Sequence, residues 1–352
     1  PMTVECALCK SFMCRSGTRE GTPDNCPMRG DFPEFHDLYE KEDDRALLSN
    51  SALVESGGYC RWTRLREIGE FSRLMGFETL GIAHCPDMAP VAKRVAEAFQ
   101  AEGIHPILPA PSQLDDPGAQ ATHFSQMGTH MNVLGGMCVG HEVLFLQSTA
   151  VPTVSLIARD TRLFHNPVAG IYTSRSYLKN DLFGHWPKRE RPLYKGWDME
   201  TLATLSCAGK QYPPHPRPRL AEAMDVAHTL GVQRIGVSFC VGFKEEAKAL
   251  SGLLKSNGFQ VSSTCCKTGA VPKEEAGIAD EQKIRPGKPE MICNPLAQGE
   301  LLNRDEVQFV MILGQCVGHD SLTLGRLKAP AVYLVAKDRV LAHNSVAALN
   351  SS

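Results

Sequence analysis

Apolar and polar positions along this chain follow a strand-and-helix rhythm that is played twice. An apolar helix end, a glycine, a short β-rich run and a cysteine make up FSRLMGFETLGIAHC at 71–85, and AHTLGVQRIGVSFC at 227–240 repeats that order. Each is followed by apolar residues three and four apart, in APVAKRVAEAFQAEG (89–103) and KEEAKALSGLLKSNG (244–258). That spacing predicts amphipathic helices, with Gly103 and Gly258 as their C-terminal caps. Short strands follow (HPILPAP; FQVSSTC), then a longer middle segment, an apolar strand (MNVLGGM; VQFVMILGQ), a helix opening at VGH, and a last strand (PTVSLIARD; AVYLVAKD). Strands alternating with helices predict a mostly parallel sheet in each copy.

The repetition is strict at its C-terminal end. CVGHEVLFLQSTAVPTVSLIARDTRLFHN (138–166) and CVGHDSLTLGRLKAPAVYLVAKDRVLAHN (316–344) align without a gap, pairing Cys138 with Cys316, His141 with His319, Asp160 with Asp338 and His165 with His343. The expected architecture is therefore α/β: two tandem Rossmann-like units plus a small Cys-rich N-terminal metal-binding lobe. The lobe would occupy 1–60, the first unit, with a degenerate site, 61–180, a linker 181–219, and the second unit, with a Cys-rich crevice, 220–352. KRERPLYKGW and QYPPHPRPRL, rich in proline and charge, mark the linker. Chain order attaches the lobe to the first unit.

Composition narrows the chemistry. With 352 residues, 43% apolar and 22% charged, the chain has the make-up of a globular protein, and a formal charge of −2 gives no footprint for nucleic acid. No basic segment leads into an apolar stretch and none is long enough to span a bilayer, which predicts a cytoplasmic location without membrane association. Thirteen cysteines then call for a reducing-compartment explanation, metal or redox chemistry rather than disulfides. Cys60 and Cys207 read as small buried hydrophobes.

Ligands of open parallel sheets bind outside the carboxyl ends of the strands. In the second copy Cys240 follows IGVSF, Cys265 and Cys266 follow QVSST, Cys316 follows VMILGQ, and Lys337 and Asp338 follow VYLVA, while Cys293 lies in a loop that could close over them. Thiolates select zinc, copper(I) or iron–sulfur clusters, and the second copy lacks the close CxxC pairs of zinc ribbons. The reading is an iron–sulfur cluster, 4Fe-4S, on Cys240, Cys266, Cys293 and Cys316. Adjacent residues of a strand point to opposite faces, so Cys266 is the ligand and Cys265 is left to the core. A helix starting at Cys316 would favour its thiolate. His319, Lys337 and Asp338 are candidate proton donors or acceptors, with turn-stabilising or packing roles as the alternative for the histidines, His343 included.

The N-terminal Cys6-x2-Cys9-x4-Cys14-x11-Cys26-Pro27 is a second metal signal, for a cluster or for structural zinc. Cys85 and Cys138 of the first copy lie at the corresponding crevice and could share it. No GxGxxG or P-loop motif supports a nucleotide.

These elements, CxxC-x4-C-x11-CP, TRLREIGEFSRLMGFETLGIA, CNPLAQ, LGQCVGHD and VAKDRVLAHN, resemble a family of prokaryotic proteins with a Cys-rich, metal-binding domain of unknown function, over nearly the whole chain. The resemblance implies metal binding, in anaerobic or microaerobic organisms. In that family one unit carries both the N-terminal and the crevice cysteines; here they fall on different copies. Three functions remain open: an iron–sulfur enzyme performing reduction or sulfur transfer on a small substrate, an electron carrier serving a redox partner protein, or a zinc-stabilised binding module.

Overall fold

The computed structural model describes residues 3–30, 32–182 and 217–350. Cys207 and most of the expected linker lie outside the described residues. Each copy forms one four-stranded, all-parallel sheet, and the two sheets have the same strand order, 2-1-3-4. In the first, β1 (Thr79–Ala83), β2 (His105–Ile107), β3 (Met131–Leu134) and β4 (Thr153–Ser155) assemble as β2-β1-β3-β4. In the second, β5 (Arg234–Phe239), β6 (Gln260–Cys265), β7 (Phe309–Leu313) and β8 (Ala331–Val335) assemble as β6-β5-β7-β8. Both central strands of the second sheet are buried almost throughout, as parallel strands covered on both faces must be.

Helices carry the chain between strands. Counting those of eight residues or more, α1 (Glu42–Gly58) and α2 (Arg64–Met75) precede the first sheet, and α3 (Ala89–Ala101), α4 (Pro117–Gln126) and α5 (Val139–Ser148) connect its strands. In the second copy α6 (Arg219–Thr229) precedes the sheet, and α7 (Lys244–Ser256), α8 (Pro295–Arg304) and α9 (His319–Arg326) connect it. The local signals are legible: Asp116 and Asn294 accept the Ala119 and Ala297 N–H groups ahead of Pro117 and Pro295, and Gly76 ends α2 at φ 68°. Among the described residues, no helix is long and apolar enough to cross a membrane.

The copies are joined by a reciprocal exchange. The Arg64 guanidinium, at the start of α2, donates to the Ser155 carbonyl of its own copy and to the Gln315 carbonyl and Asp320 carboxylate of the other, and its backbone N–H donates to Asp338. Arg219, at the start of α6, mirrors this with the carbonyls of Tyr333 and Met137, the Glu142 carboxylate and, through its N–H, Asp160. Each of these four partners on one side has its repeat equivalent on the other, and Arg219 adds a bond to the Arg159 carbonyl. All four charged side chains are within 1% of full burial. The repeated CVGH(D/E) and (A)(R/K)D elements are therefore the sockets into which each copy receives the arginine of the other.

The Cys-rich N-terminus does not sit on the copy that follows it in sequence. Val4 and Glu5 run beside β6: the Ser263 N–H donates to the Val4 carbonyl, Ala7 N–H donates to Ser263 Oγ, and Val4 N–H donates to Asp305. This caps the exposed edge of the second sheet. The expected attachment of the lobe to the first unit is corrected accordingly, because a free strand edge is a stronger docking site than chain proximity.

Removing Arg64 leaves Asp320 buried without its cation, a loss of about 3–5 kcal/mol. Arg64→Met is expected to lower the urea midpoint sharply, whereas Arg66→Met, on the exposed side of the same helix, changes stability by at most about 0.5 kcal/mol. Equal midpoints for the two variants would contradict the exchange.

Candidate metal centre

The strand order reverses between β5 and β7, so their carboxyl ends open the crevice of the second copy. Cys240 lies directly after β5 and Cys316 three residues after β7. A register shift between Ile312 and Leu313, where β7 pairs with β8, precedes the Cys316 turn. Gly314 takes φ +53° there, and a Cβ would come within 2.1 Å of the Phe243 ring. Only glycine lets the chain pass so close.

Cys266 directly follows β6 and reaches both Cys240 and Cys293, and Cys293 reaches on to Cys316. Four expected ligands thus form an arc, Cys240–Cys266–Cys293–Cys316, all buried. Lys337 Nζ lies 3.2 Å from Cys240 Sγ and 3.1 Å from Cys316 Sγ, closing the arc with a cation. Lys267 Nζ lies 3.5 Å from Cys293 Sγ and donates to the Met291 carbonyl at 2.6 Å. Val241 N–H donates to Cys266 Sγ at 3.2 Å.

Three of the four thiols are lowered and one, Cys266, is raised. The hydrogen bond from Cys266 draws Cys240 down to about 6 against burial, with Lys337 adding to it. Cys293 is lowered by its bonds with Cys266 and Cys316 and by Lys267. Cys316 is pushed up by Cys293 and by burial, yet Lys337 and His319 leave it lowered on balance. Hydrogen bonding with Cys240 first, then with Cys265 and Cys293, together with burial raises Cys266 well above the usual thiol range.

His319 donates through Nε2 to the Leu48 carbonyl at 3.2 Å. Its buried Nδ1 makes no well-aligned hydrogen bond, and the ring interacts with Cys293 and Cys316. Burial opposes the imidazolium, but those sulfurs lift it to about 10. Lys337 is likewise disfavoured by burial and held well above its ordinary value by Cys240 and Cys316.

Asp338, expected to be a proton carrier, has a different place. One carboxylate oxygen accepts the Arg64 N–H at 2.8 Å and the other the N–H groups of Val340 and Leu341, so the group belongs to the inter-copy socket. His343 stabilises the same turn: the Asp338 N–H donates to its Nδ1 at 3.1 Å, and His165 does this for Asp160. Cys316 is also not the first residue of a helix; α9 begins at His319 after Gly318 at φ +86°. Its thiolate rests on Lys337 and His319 rather than on a helix dipole.

Cys6, Cys9, Cys14 and Cys26 line one small cavity together with Cys265 and Thr268. Cys14 is raised above the thiol range chiefly by its hydrogen bond with Cys265. Cys265 is buried in the hydrophobic core, as expected, and it also lines the lobe cavity, while Cys266, the next residue, belongs to the crevice. Cys85 and Cys138 are not among the residues of the lobe cavity. Cys60 is exposed, at the rim of the crevice, instead of buried.

The crevice continues into a cavity of about 430 Å³ lined by Cys240 and by Arg15, Lys267, Lys273, Arg285, Lys337 and Arg339, against the carboxylates of Glu55 and Glu290. Arg339 binds Glu55 at 2.5 Å and Glu67 at 3.5 Å. A repeat-equivalent pair of carboxylates also crosses between copies. Burial first and Cys316 second raise Glu67 to about 7, and burial and Cys138 raise its repeat equivalent Glu222 to about 8. Sequence reasoning missed Lys267, Arg339 and Glu55; the first stands beside Cys266 in the CCK turn and was the legible one.

Fold and site define a tandem parallel α/β protein whose cysteines gather at strand ends and under an N-terminal lobe. The chain belongs to the family described as "Protein of unknown function (DUF1847)", whose family model matches residues 27–108, 109–156 and 189–334. The uncharacterized protein MJ0455 of Methanocaldococcus jannaschii is 38% identical over 131 residues, which are 37% of this chain and 66% of that protein. Among solved structures, Dph2 from Pyrococcus horikoshii aligns over 82% of this chain and 91% of its own at 11% identity and a TM-score of 0.23. Its form with a 4Fe-4S cluster aligns over 78% and 88% at 12% identity and the same TM-score. Likeness that loose carries no weight for the site.

Exchanging Lys337 for methionine removes the cation shared by Cys240 and Cys316. In metal-free protein, alkylation of Cys240 mapped by mass spectrometry is expected to show its half-maximal pH raised by about one unit or more in Lys337→Met. An unchanged profile would mean that Lys337 does not stabilise the thiolate.

Proposed function

We propose that this protein is an iron–sulfur protein whose second-copy cluster performs redox or sulfur-transfer chemistry on a small anionic substrate. The observation that carries the reading is the wide arc of Cys240, Cys266, Cys293 and Cys316, ringed by Lys267, Lys337 and Arg339 and bordering a basic cavity. No three ligating atoms of this arc lie within 4.8 Å of one another, so the arc as it stands is too wide for a single ion shared by three residues and suits a body of several irons. Thiolates bound to iron keep a negative charge, and the buried Lys337 with the half-buried Lys267 and Arg339 offset it. His319, whose ring interacts with Cys293 and Cys316, supplies a proton donor beside the sulfurs.

When bound, a cluster supplies one-electron transfer and Lewis acidity. The chain's own residues do the rest. Lys337 and Arg339 attract an anion to the mouth of the site, where a cavity of about 430 Å³ matches a small metabolite rather than a macromolecule. That cavity favours an enzyme over a pure electron carrier, which needs no substrate pocket. The lobe, with Cys6, Cys9, Cys14, Cys26 and now Cys265, is a second soft-metal site, for iron–sulfur or zinc. Cys265 and Cys266 give the two sites a direct covalent link, the shape of an electron-entry route.

Anaerobically purified protein is expected to carry iron and acid-labile sulfide. Cys266→Ala and Cys293→Ala are each expected to lose the crevice share of both, while Cys9→Ala leaves that share in place. Unchanged iron in both crevice variants would overturn the assignment.

A further inference from the structure

The first copy keeps Cys85, Cys138 and His141 at the positions of Cys240, Cys316 and His319, and the structure gives them a different geometry. Cys85 Sγ lies 3.8 Å from Cys138 Sγ and 3.3 Å from His141 Nδ1, all three residues being buried. Among the described residues, this is the one group of three His, Cys, Asp or Glu residues whose ligating atoms all fall within 4.8 Å of each other. Zinc bonds of about 2.3 Å to sulfur and about 2.0 Å to nitrogen, at a tetrahedral angle, put two sulfurs about 3.8 Å apart and sulfur and nitrogen about 3.5 Å apart. We propose that Cys85, Cys138 and His141 bind a single zinc ion, with the fourth position left to water or a small ligand. The reading is independent of the iron–sulfur proposal.

The two copies part company at one residue. In the second, Lys337 inserts its ammonium between the two sulfurs and occupies the place of a cation. Its equivalent Arg159 instead turns away to Asp87, with contacts of 3.0 and 2.6 Å, and Asp87 stands where the second copy has Gly242. The first-copy sulfurs are thereby left with no side-chain cation between them. Two thiolates and a neutral imidazole around Zn²⁺ sum to zero charge, which suits so dry a site, whereas the same two thiolates alone would be a costly buried dianion. The Cys138 N–H, 3.4 Å from Cys85 Sγ, supplies the kind of backbone hydrogen bond that steadies a ligating sulfur. Two sulfurs and one nitrogen with one open position is also a ligand set of catalytic rather than purely structural zinc. The first copy is then a second, chemically distinct centre, not a worn-out duplicate.

The test uses the full chain purified with zinc present, its zinc and iron counted for wild type, Cys138→Ser, His141→Ala, Cys9→Ala and Cys266→Ala. One zinc equivalent is expected to vanish in Cys138→Ser and His141→Ala and to persist in Cys9→Ala and Cys266→Ala. Zinc X-ray absorption of the Cys9→Ala protein keeps the proposal falsifiable if the buried variants fail to fold: two sulfurs with nitrogen or oxygen neighbours are expected. A zinc content indifferent to Cys138 and His141, an all-sulfur zinc shell, or a Cys85–Cys138 disulfide in zinc-free, anaerobically prepared protein would each overturn it.

Discussion

Two buried arginines hold this molecule in its working shape. Arg64 and Arg219 each leave the start of one copy's first helix and enter the other copy, where a carboxylate at the head of a helix and a second carboxylate at the end of a strand receive them. An uncompensated charge in so dry a place would cost several kcal/mol, so neither helix can shift without its partner. Because the helix-head carboxylates, Asp320 and Glu142, sit four residues from Cys316 and Cys138, the same contact fixes the turns that carry the thiols. The interface and the crevices are one construction, which explains why the strictest part of the repeat spans both.

On that frame the second-copy cysteines acquire their chemistry from position. Strand ends bring Cys240, Cys266 and Cys316 to one edge, and the loop ahead of α8 folds Cys293 over them. Lys267 and Lys337 then stabilise thiolates that burial alone would forbid. The N-terminal segment completes the arrangement by adding itself to the edge of β6. In space, the lobe and crevice cysteines that the duplication divides along the chain come together on one unit.

Strand and helix order were readable because parallel strands are short apolar runs whose ends are marked by glycine, cysteine or charge. The convergence of Cys240, Cys266 and Cys316 followed from that alone. The docking of residues 4–7 on β6 was not readable, since a strand edge accepts any backbone and Val4 and Glu5 carry no distinguishing pattern. Nor did Arg64 and Arg219 announce themselves: TRLREIGE and RPRLAEA look like ordinary polar helix starts. Aligning the copies, which places an Arg-Leu pair at the same point in both, was the available signal. Asp338 was misread because a carboxylate beside a site and a carboxylate bracing it look alike in one dimension.

The central claim is that the second-copy crevice holds a cluster of irons and not a lone metal ion. Electron paramagnetic resonance of anaerobically purified, dithionite-reduced protein tests it most directly. The account predicts an iron–sulfur signal whose crevice component disappears in Cys293→Ala while the fold is retained. A colourless, signal-free protein carrying zinc in that crevice would contradict it.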